Sequence, residues 1–463
     1  MKSVHFVGVS GIGVSAVARI SIDSGLTVSG SADIENEQTE SLKKAGLTFY
    51  LGHKAEQIEK PDLVVRSAAV PEQNPEILEA IQKKIPVCLY SEYLAMLMSK
   101  KKGIAVAGTH GKTSTTALLA TILACANFEP TVVCGGVMQN FSSNAVYGQG
   151  DYFVSEACEY NRSFLDLKKW AGIVTNIEPD HLDYYRDIND IKDAFSEFLK
   201  TADHEGFSVV NGDDKNVREI LERLSGQRIY TVGLTEGSRY RIVNIDSNRG
   251  IYSFQIEENG KKVMELHLTV PGGYNCMNAA LSAVSALKIG VEGSTIERAM
   301  RSFKGTRRRM EYLGEVAGKH VYIDYAHHPT EIGLTLGALR EMYPSKKIAV
   351  VFQPHQYSRT AVLFQDFVKE LLRPDAVILM EIYRQRDSDT CIKAVKSIDL
   401  YKELRKAGKT NVACAREAEE IIKNLDRLID KNFVIVFMGA GDVDDTARVY
   451  VTGEFYLGAV DGY

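Results

Sequence analysis

The stretch IAVAGTHGKTSTTALL, residues 104–119, carries the residue types of a phosphate site. An apolar, strand-like run leads into glycines, and Lys112 and Thr113 then open a helix-like segment. Glycines let main-chain N–H groups turn inward and approach anionic oxygens. A helix N-terminus adds unpaired donors and partial positive charge. Lys112 supplies a full charge for the outer phosphates, and the Thr113 hydroxyl suits Mg2+. Only Thr109 and His110 separate Gly108 from Gly111, where the common phosphate loop has four residues between its glycines. The alternative, a plain strand-to-helix turn, accounts less well for Gly-Lys-Thr opening a helix directly after an apolar strand.

A phosphate loop needs a cation. VSEACEYNRSF (residues 154–164) and TNIEPDHLDYY (residues 175–185) each follow an apolar run. Each therefore falls at a strand's C-terminal end, where α/β folds place ligands. Glu156 and His181 join Thr113 as the candidate metal ligands. Oxygen donors suit Mg2+, with Mn2+ as an alternative, and the histidine is the less usual member. Taken singly, Glu159 and Asp180 read as solvated charges.

A second glycine turn lies near the N-terminus, in VHFVGVSGIGVSAVA (residues 4–18). Gly11, Gly13 and Ala16 fit the dinucleotide fingerprint, and Asp33 stands about where a ribose-binding acid belongs. Two ligands remain open on these residues alone. One is the nicotinamide cofactor of an oxidoreductase. The other is a different pyrophosphate, because such a turn grips pyrophosphate whatever is attached to it.

The elements that position these loops alternate. In residues 1–99, strands are expected at 4–9, 26–29, 63–65 and 87–89, with helices near 13–23, 38–45, 75–84 and 91–98. That alternation implies a parallel sheet with helical crossovers. The charged break SKKKG and the run GTRRR bound a central segment, 103–304, with a helix at 112–126. Its β-rich part, 238–270, has NRG and ENG turns that mark hairpins. Strands recur at 321–323, 348–352, 376–379, 412–414 and 434–437. A chain of 463 residues exceeds a single core. The expected fold is α/β in three domains, each a mainly parallel sheet with flanking helices: 1–99, 103–304 and 307–463. GAGD, residues 439–442, reads as a tight strand-to-helix turn.

A formal charge of −5 excludes a nucleic-acid partner held by bulk charge. Seven scattered cysteines without a C-x-x-C pair suit reduced thiols, not a disulfide framework. Neither a signal peptide nor a membrane-length apolar run is present, so the expectation is a cytoplasmic protein without a membrane partner.

GTHGKTS, EACEYNRSF, TNIEPDHLDY, NCMNAA, RRRME, DYAHHPTEI and QPHQYSRT occur in the order found in the Mur ligases of peptidoglycan synthesis, and the chain resembles that family over nearly its whole length. The resemblance implies a UDP-sugar domain with a Rossmann-like fold, a central ATPase domain and a C-terminal Rossmann-like domain. DYAHHPTEI and QPHQYSRT resemble the branch that joins the lactyl carboxylate of UDP-N-acetylmuramate to L-alanine with ATP. By resemblance, the ATP-binding residues are Gly108, Thr109, His110, Gly111, Lys112, Thr113 and Ser114, with Asn278 at the adenine and Arg309 at the phosphates. Catalysis falls to Lys112, Glu156, His181 and Asp324. Gly11, Ile12, Gly13, Ser31, Asp33, Ser67, Arg162 and Asn176 are expected at the UDP-sugar. Tyr325, His327, His355 and Arg359 are expected at the amino acid. Arg309 and Asp324 lie across the second joint from the phosphate loop, which implies a closing motion. The protein is expected to act as a monomer or homodimer.

The chain departs from the family pattern at several positions. Phe195 stands where several members carry a carbamylated lysine, so no such lysine is expected. Tyr274 replaces a usual histidine, Ile323 the first acid of an Asp-Asp pair, and Gln356 a frequent arginine. Tyr90-Ser91 stands for Arg-Ala, and Ser10 for glycine. These changes leave open a same-family ligase for another amino acid or peptide. An NAD(P)-dependent oxidoreductase is the remoter reading, and it leaves Gly111-Lys112-Thr113 unexplained. A non-catalytic UDP-sugar sensor is disfavoured by the intact Lys112, Glu156 and His181.

Overall fold

The computed structural model describes residues 1–182, 184–203, 205–384, 387 and 395–453. Cys391 and the Asp183 of TNIEPDHLDYY lie outside them; the other six cysteines are free thiols. The chain forms two compact units. The first comprises Met1–Ile245, Ser253–His267 and Met277–Thr306; the second comprises Asp246–Tyr252, Leu268–Cys276 and Arg307–Tyr463.

The first unit opens with β1 (Ser3–Val7), β2 (Thr27–Ala32), β3 (Thr48–Leu51), β4 (Leu63–Arg66) and β5 (Val87–Leu89), in the spatial order β3-β2-β1-β4-β5. Every pairing is parallel. β1 is buried along nearly its whole length, as expected of a strand covered on both faces by crossover helices. The expected strand at 4–9 ends early because Gly8 turns with φ +84°. β3 carries no strong signal, being half exposed at the sheet edge.

The next sheet has ten strands: β6 (Lys102–Ala107), β7 (Thr131–Met138), β8 (Ser143–Val146), β9 (Tyr152–Glu156), β10 (Ala171–Val174), β11 (Phe207–Asn211), β12 (Ile229–Gly233), β13 (Tyr240–Asn248), β14 (Ile251–Glu258) and β15 (Lys261–His267). β6 lies between β10 and β9, parallel to both. Loops leaving these three strands therefore emerge side by side. The NRG and ENG turns do connect β13 to β14 and β14 to β15. Arg249, Gly250, Asn259 and Gly260 all have positive φ, the geometry that suits tight hairpins. One hydrophobic cluster runs from Val4 and Phe6 through Tyr93 to Ala107, Phe153 and Phe198, so the two sheets share a core.

The second unit holds β16 (Glu311–Val316), β17 (Lys319–Asp324), β18 (Lys347–Phe352), β19 (Ala376–Leu379), β20 (Val412–Cys414) and β21 (Phe433–Met438), ordered β16-β17-β21-β18-β19-β20. Only β16 is antiparallel, and the sequence reading missed it because its residues are half exposed. No helix of the described residues is long and apolar enough to cross a membrane.

Candidate active site

The loop after β6 is built as its residues suggest, and two of its glycines are obligatory. Gly108 has φ +137°, and a Cβ there would fall 1.9 Å from Thr175 Oγ1. Gly111, with φ +82°, precedes helix Lys112–Cys125, and a Cβ would meet Asn278 Oδ1 at 2.5 Å. The segment after β10 ties the loop down. The His110 N–H donates to Asn176 Oδ1 at 2.8 Å, Asn176 Nδ2 donates to the His110 carbonyl at 3.1 Å, and the Thr109 N–H donates to the Asn176 carbonyl. Asn176, expected at the UDP-sugar, is thus committed at both ends of its amide to shaping the phosphate loop. Asn278 lies behind the same loop, accepting from Thr115 Oγ1 at 3.4 Å.

Lys112 projects from the first turn of its helix. Its ammonium donates to the Gly108 and Thr109 carbonyls and to Glu159 Oε2 at 3.0 Å. Burial alone would depress the Lys112 pKa, but the carboxylate of Glu159 outweighs it and holds the value above normal. Glu159, which taken singly reads as a solvated charge, is buried, 3% exposed, and paired. Nothing local in the sequence signals this, because the partners are 47 residues apart.

Thr113 and Glu156 meet: Thr113 Oγ1 donates to Glu156 Oε2 at 3.2 Å. Glu156 ends β9, and its other oxygen accepts from the Gly135 N–H and lies 3.4 Å from Cys134 Sγ. His181 is not hydrogen-bonded to either. Its Nε2 lies 3.8 Å from Asp180 Oδ2, and its ring packs against Tyr160. The structure thus joins two of the three expected metal ligands. Ser114 occupies the same first turn, half buried.

The front crevice follows β1. Gly11 caps helix Ile12–Asp23 with no side-chain bond to the first N–H groups of the helix. The Tyr90 ring packs onto Gly13, where a Cβ would lie 2.9 Å from Tyr90 Cζ. Burial, with Glu156 next, raises the Tyr90 pKa, so its hydroxyl stays protonated. Asn144 of β8 donates to the Ile12 carbonyl at 2.7 Å and to Ser15 Oγ. Ser67 follows β4, its N–H bonded to the Val7 carbonyl. Asp33 is open to solvent. Ser31, expected to face the ligand, is fully buried, donating to Glu76 at 2.6 Å. Arg162 pairs with Asp190 at 2.7 Å.

In the second unit, Asp324 ends β17 and accepts from the N–H groups of Met310 and Ala326. Burial pushes its pKa up to about 6, against the pull of Arg309. The Arg309 guanidinium lies 4.9 Å over the Tyr325 ring and 3.8 Å from Glu331. Arg308 donates to the Gly439 and Gly441 carbonyls, which makes GAGD a clamped turn. The amino-acid candidates do gather. His327 and His355 meet edge-to-face at 5.6 Å, and Arg359 Nη1 is 3.2 Å from His355 Nδ1. His355 is sandwiched further by Tyr383, 5.7 Å away and nearly coplanar. Burial depresses the His327 pKa to about 3. Tyr274 is half-buried against the core of the second unit, and desolvation of its hydroxyl, with Asp324 beside it, raises its pKa. Phe195 sits in the core of the first unit against Phe164.

A parallel crevice sheet, a glycine-lysine-threonine loop and a second Rossmann-like sheet define a nucleotide-using ligase architecture. Family models match in the same order: the Mur ligase family catalytic domain over residues 3–102, the Mur ligase middle domain over 106–286, and the Mur ligase glutamate ligase domain over 308–441. The chain belongs to the Mur ligase family, whose members are ATP-dependent ligases of peptidoglycan synthesis. It is 39% identical to the UDP-N-acetylmuramate–L-alanine ligase of Aquifex aeolicus, with 96% of each chain covered. It is equally identical to that of Clostridium novyi, covering 99% of this chain and 98% of the relative. The solved UDP-N-acetylmuramate–alanine ligase of Thermotoga maritima superposes with a TM-score of 0.82 at 30% identity, covering 97% and 98%.

Proposed function

We propose that the protein joins the carboxylate of UDP-N-acetylmuramate to the amine of L-alanine, converting ATP to ADP and phosphate in the cytoplasm. The observation that carries this reading is the pairing of a phosphate loop, with Lys112 charged, and a pyrophosphate-type crevice within one compact unit. The curated relatives named for this reaction cover nearly the whole chain. A nicotinamide enzyme would have no use for Lys112.

A carboxylate is a poor electrophile. In the proposed reaction one of its oxygens attacks the γ-phosphorus, the bond to the ADP oxygen breaks, and an acyl phosphate results. The amine nitrogen then attacks the acyl carbon, phosphate departs, and the nitrogen loses a proton. Lys112 would hold the transferring phosphate and offset repulsion between two anions. Losing such a stabiliser costs about 3–4 kcal/mol of barrier, a rate factor of several hundred. Arg359 would anchor the amino acid's carboxylate through paired hydrogen bonds. His327, kept neutral by burial with its pKa near 3, is a weak base and would serve this pocket as a hydrogen-bond partner.

The Thr113 hydroxyl and Glu156 carboxylate are oxygen donors 3.2 Å apart, a set that fits a hard divalent cation. Mg2+ bound there would neutralise phosphate charge. Mass spectrometry of products from UDP-N-acetylmuramate, ATP and a mixed amino-acid pool tests the proposal. An alanine adduct that requires ATP supports it. Glycine or serine as the preferred adduct moves the chain to another specificity, and no adduct at all refutes it.

A further inference from the structure

A buried carboxylate lies behind the front crevice with no part in the proposed chemistry. Glu76, in the first turn of helix Pro75–Gln82, is fully buried. It packs on the face of the first sheet where His5 of β1 stands beside Ser29 of β2, two residues before Ser31. Burial would raise its pKa, but hydrogen bonds from His5, Ser31 and His53 outweigh that and keep it ionised. His5 Nε2 is 2.9 Å from Oε1, and its Nδ1 is 2.8 Å from Ser29 Oγ. On Oε2, Ser31 Oγ and His53 Nδ1 both lie at 2.6 Å.

Burying an ion is costly unless every lone pair is matched, and such groups persist where they fix a geometry. Here the geometry fixed is that of His53. An acceptor-only carboxylate compels Nδ1 to carry its proton, so the ring's orientation is set and Nε2 faces outward. Nε2 lies 3.5 Å from Asp33 Oδ1, whose side chain is 82% exposed. Both groups sit just past the C-terminal ends of β2 and β3, beside the turn at Gly11. In a sheet of this order, that is where the sugar of a nucleotide rests once its pyrophosphate occupies the first glycine turn.

We propose that His53 Nε2, together with Asp33, hydrogen-bonds the ribose of the nucleoside diphosphate, and that Glu76 is the positioning residue that holds His53 for this contact. The inference rests on the reading of the crevice as a UDP-sugar site. It assigns Ser31 to supporting Glu76 and His53 from behind, which explains why a residue expected at the ligand is buried. It also gives a reason for the carboxylate that no folding role demands.

The test uses UDP as the probe and calorimetric titration of the full chain. His53→Ala is expected to weaken UDP binding about tenfold, the upper value of one neutral hydrogen bond. Glu76→Gln is expected to weaken it by a similar factor. With UDP-N-acetylmuramate as substrate, the same factor appears in KM while kcat and the KM for ATP stay unchanged. Because Glu76 acts through His53, the double variant is expected to bind no more weakly than His53→Ala alone. Additive losses would overturn the positioning role, and undiminished UDP affinity in His53→Ala would overturn the contact itself. His53 is near the surface, so that variant decides the matter even where Glu76→Gln fails to fold. A wild-type chain that binds no UDP overturns this inference and the parent reading together.

Discussion

Glu159→Gln separates the resting state of the phosphate loop from its working state. The carboxylate is 3% exposed and the Lys112 ammonium 17% exposed, at 3.0 Å. Breaking a fully buried pair costs about 3–5 kcal/mol. The cost here is smaller, since Lys112 keeps two carbonyl acceptors, reaches some solvent, and finds a neutral oxygen on glutamine. The difference between a charged and a neutral hydrogen bond leaves about 1–2 kcal/mol. That lowers the thermal midpoint of the empty protein by about 1–3 °C. Bound triphosphate offers Lys112 new anions, so the variant regains the deficit on saturation with ATP and Mg2+. The ATP-induced rise in midpoint, read by scanning calorimetry, is therefore larger in the variant than in the wild type. An unchanged midpoint without ATP would show that Lys112 does not depend on Glu159. A smaller ATP-induced rise would show that Glu159 serves the bound state instead.

Gly13→Ala forces the Tyr90 ring off a contact that a Cβ would enter at 2.9 Å; we expect a loss of about 1–3 kcal/mol in urea unfolding, and a Gly13→Ala/Tyr90→Ala double variant that is no less stable than Tyr90→Ala alone. Phe195→Lys places an ammonium in a core where Phe195 is fully buried against Phe164, and should yield little soluble protein, with no gain in activity from added bicarbonate. His327 gives a pH test with a definite sign. Its pKa is depressed to about 3, so between that value and about 6.5 the unfolded chain binds a proton that the folded state refuses. Stability attributable to His327 is present above pH 6.5 and is lost as pH falls toward 3. His327→Gln should therefore flatten that acid loss by about 3 kcal/mol, measured as urea midpoints between pH 7 and pH 4; a parallel pair of curves would contradict the shift.

The two glycine turns were legible because each requires a local pattern: an apolar strand, a residue that tolerates close approach, and a helix start. Both appear where the pattern placed them. Elements with one weak face escaped it. β3 and β16 lie at sheet edges, and neither is apolar enough to stand out. The site divides in the same way. Lys112 and Thr113 were read from their place at a helix start and Glu156 from its place at a strand end, and Thr113 and Glu156 do meet. The partner of Glu159, and Glu76 and His53 altogether, were not read, because their meaning lies in pairings 47, 71 and 23 residues apart. Ser31 shows the complementary case: it was expected at a ligand, but its side chain points to the interior, onto Glu76.

Asn144 holds the front turn by the Ile12 carbonyl, an atom every amino acid possesses. Side chains at positions 10 and 12 can therefore change over evolutionary time without unfastening that anchor, provided the main chain keeps its course. Such a fastening lets the surface presented to an acceptor be remodelled while its alignment with the energy-converting loop is inherited intact.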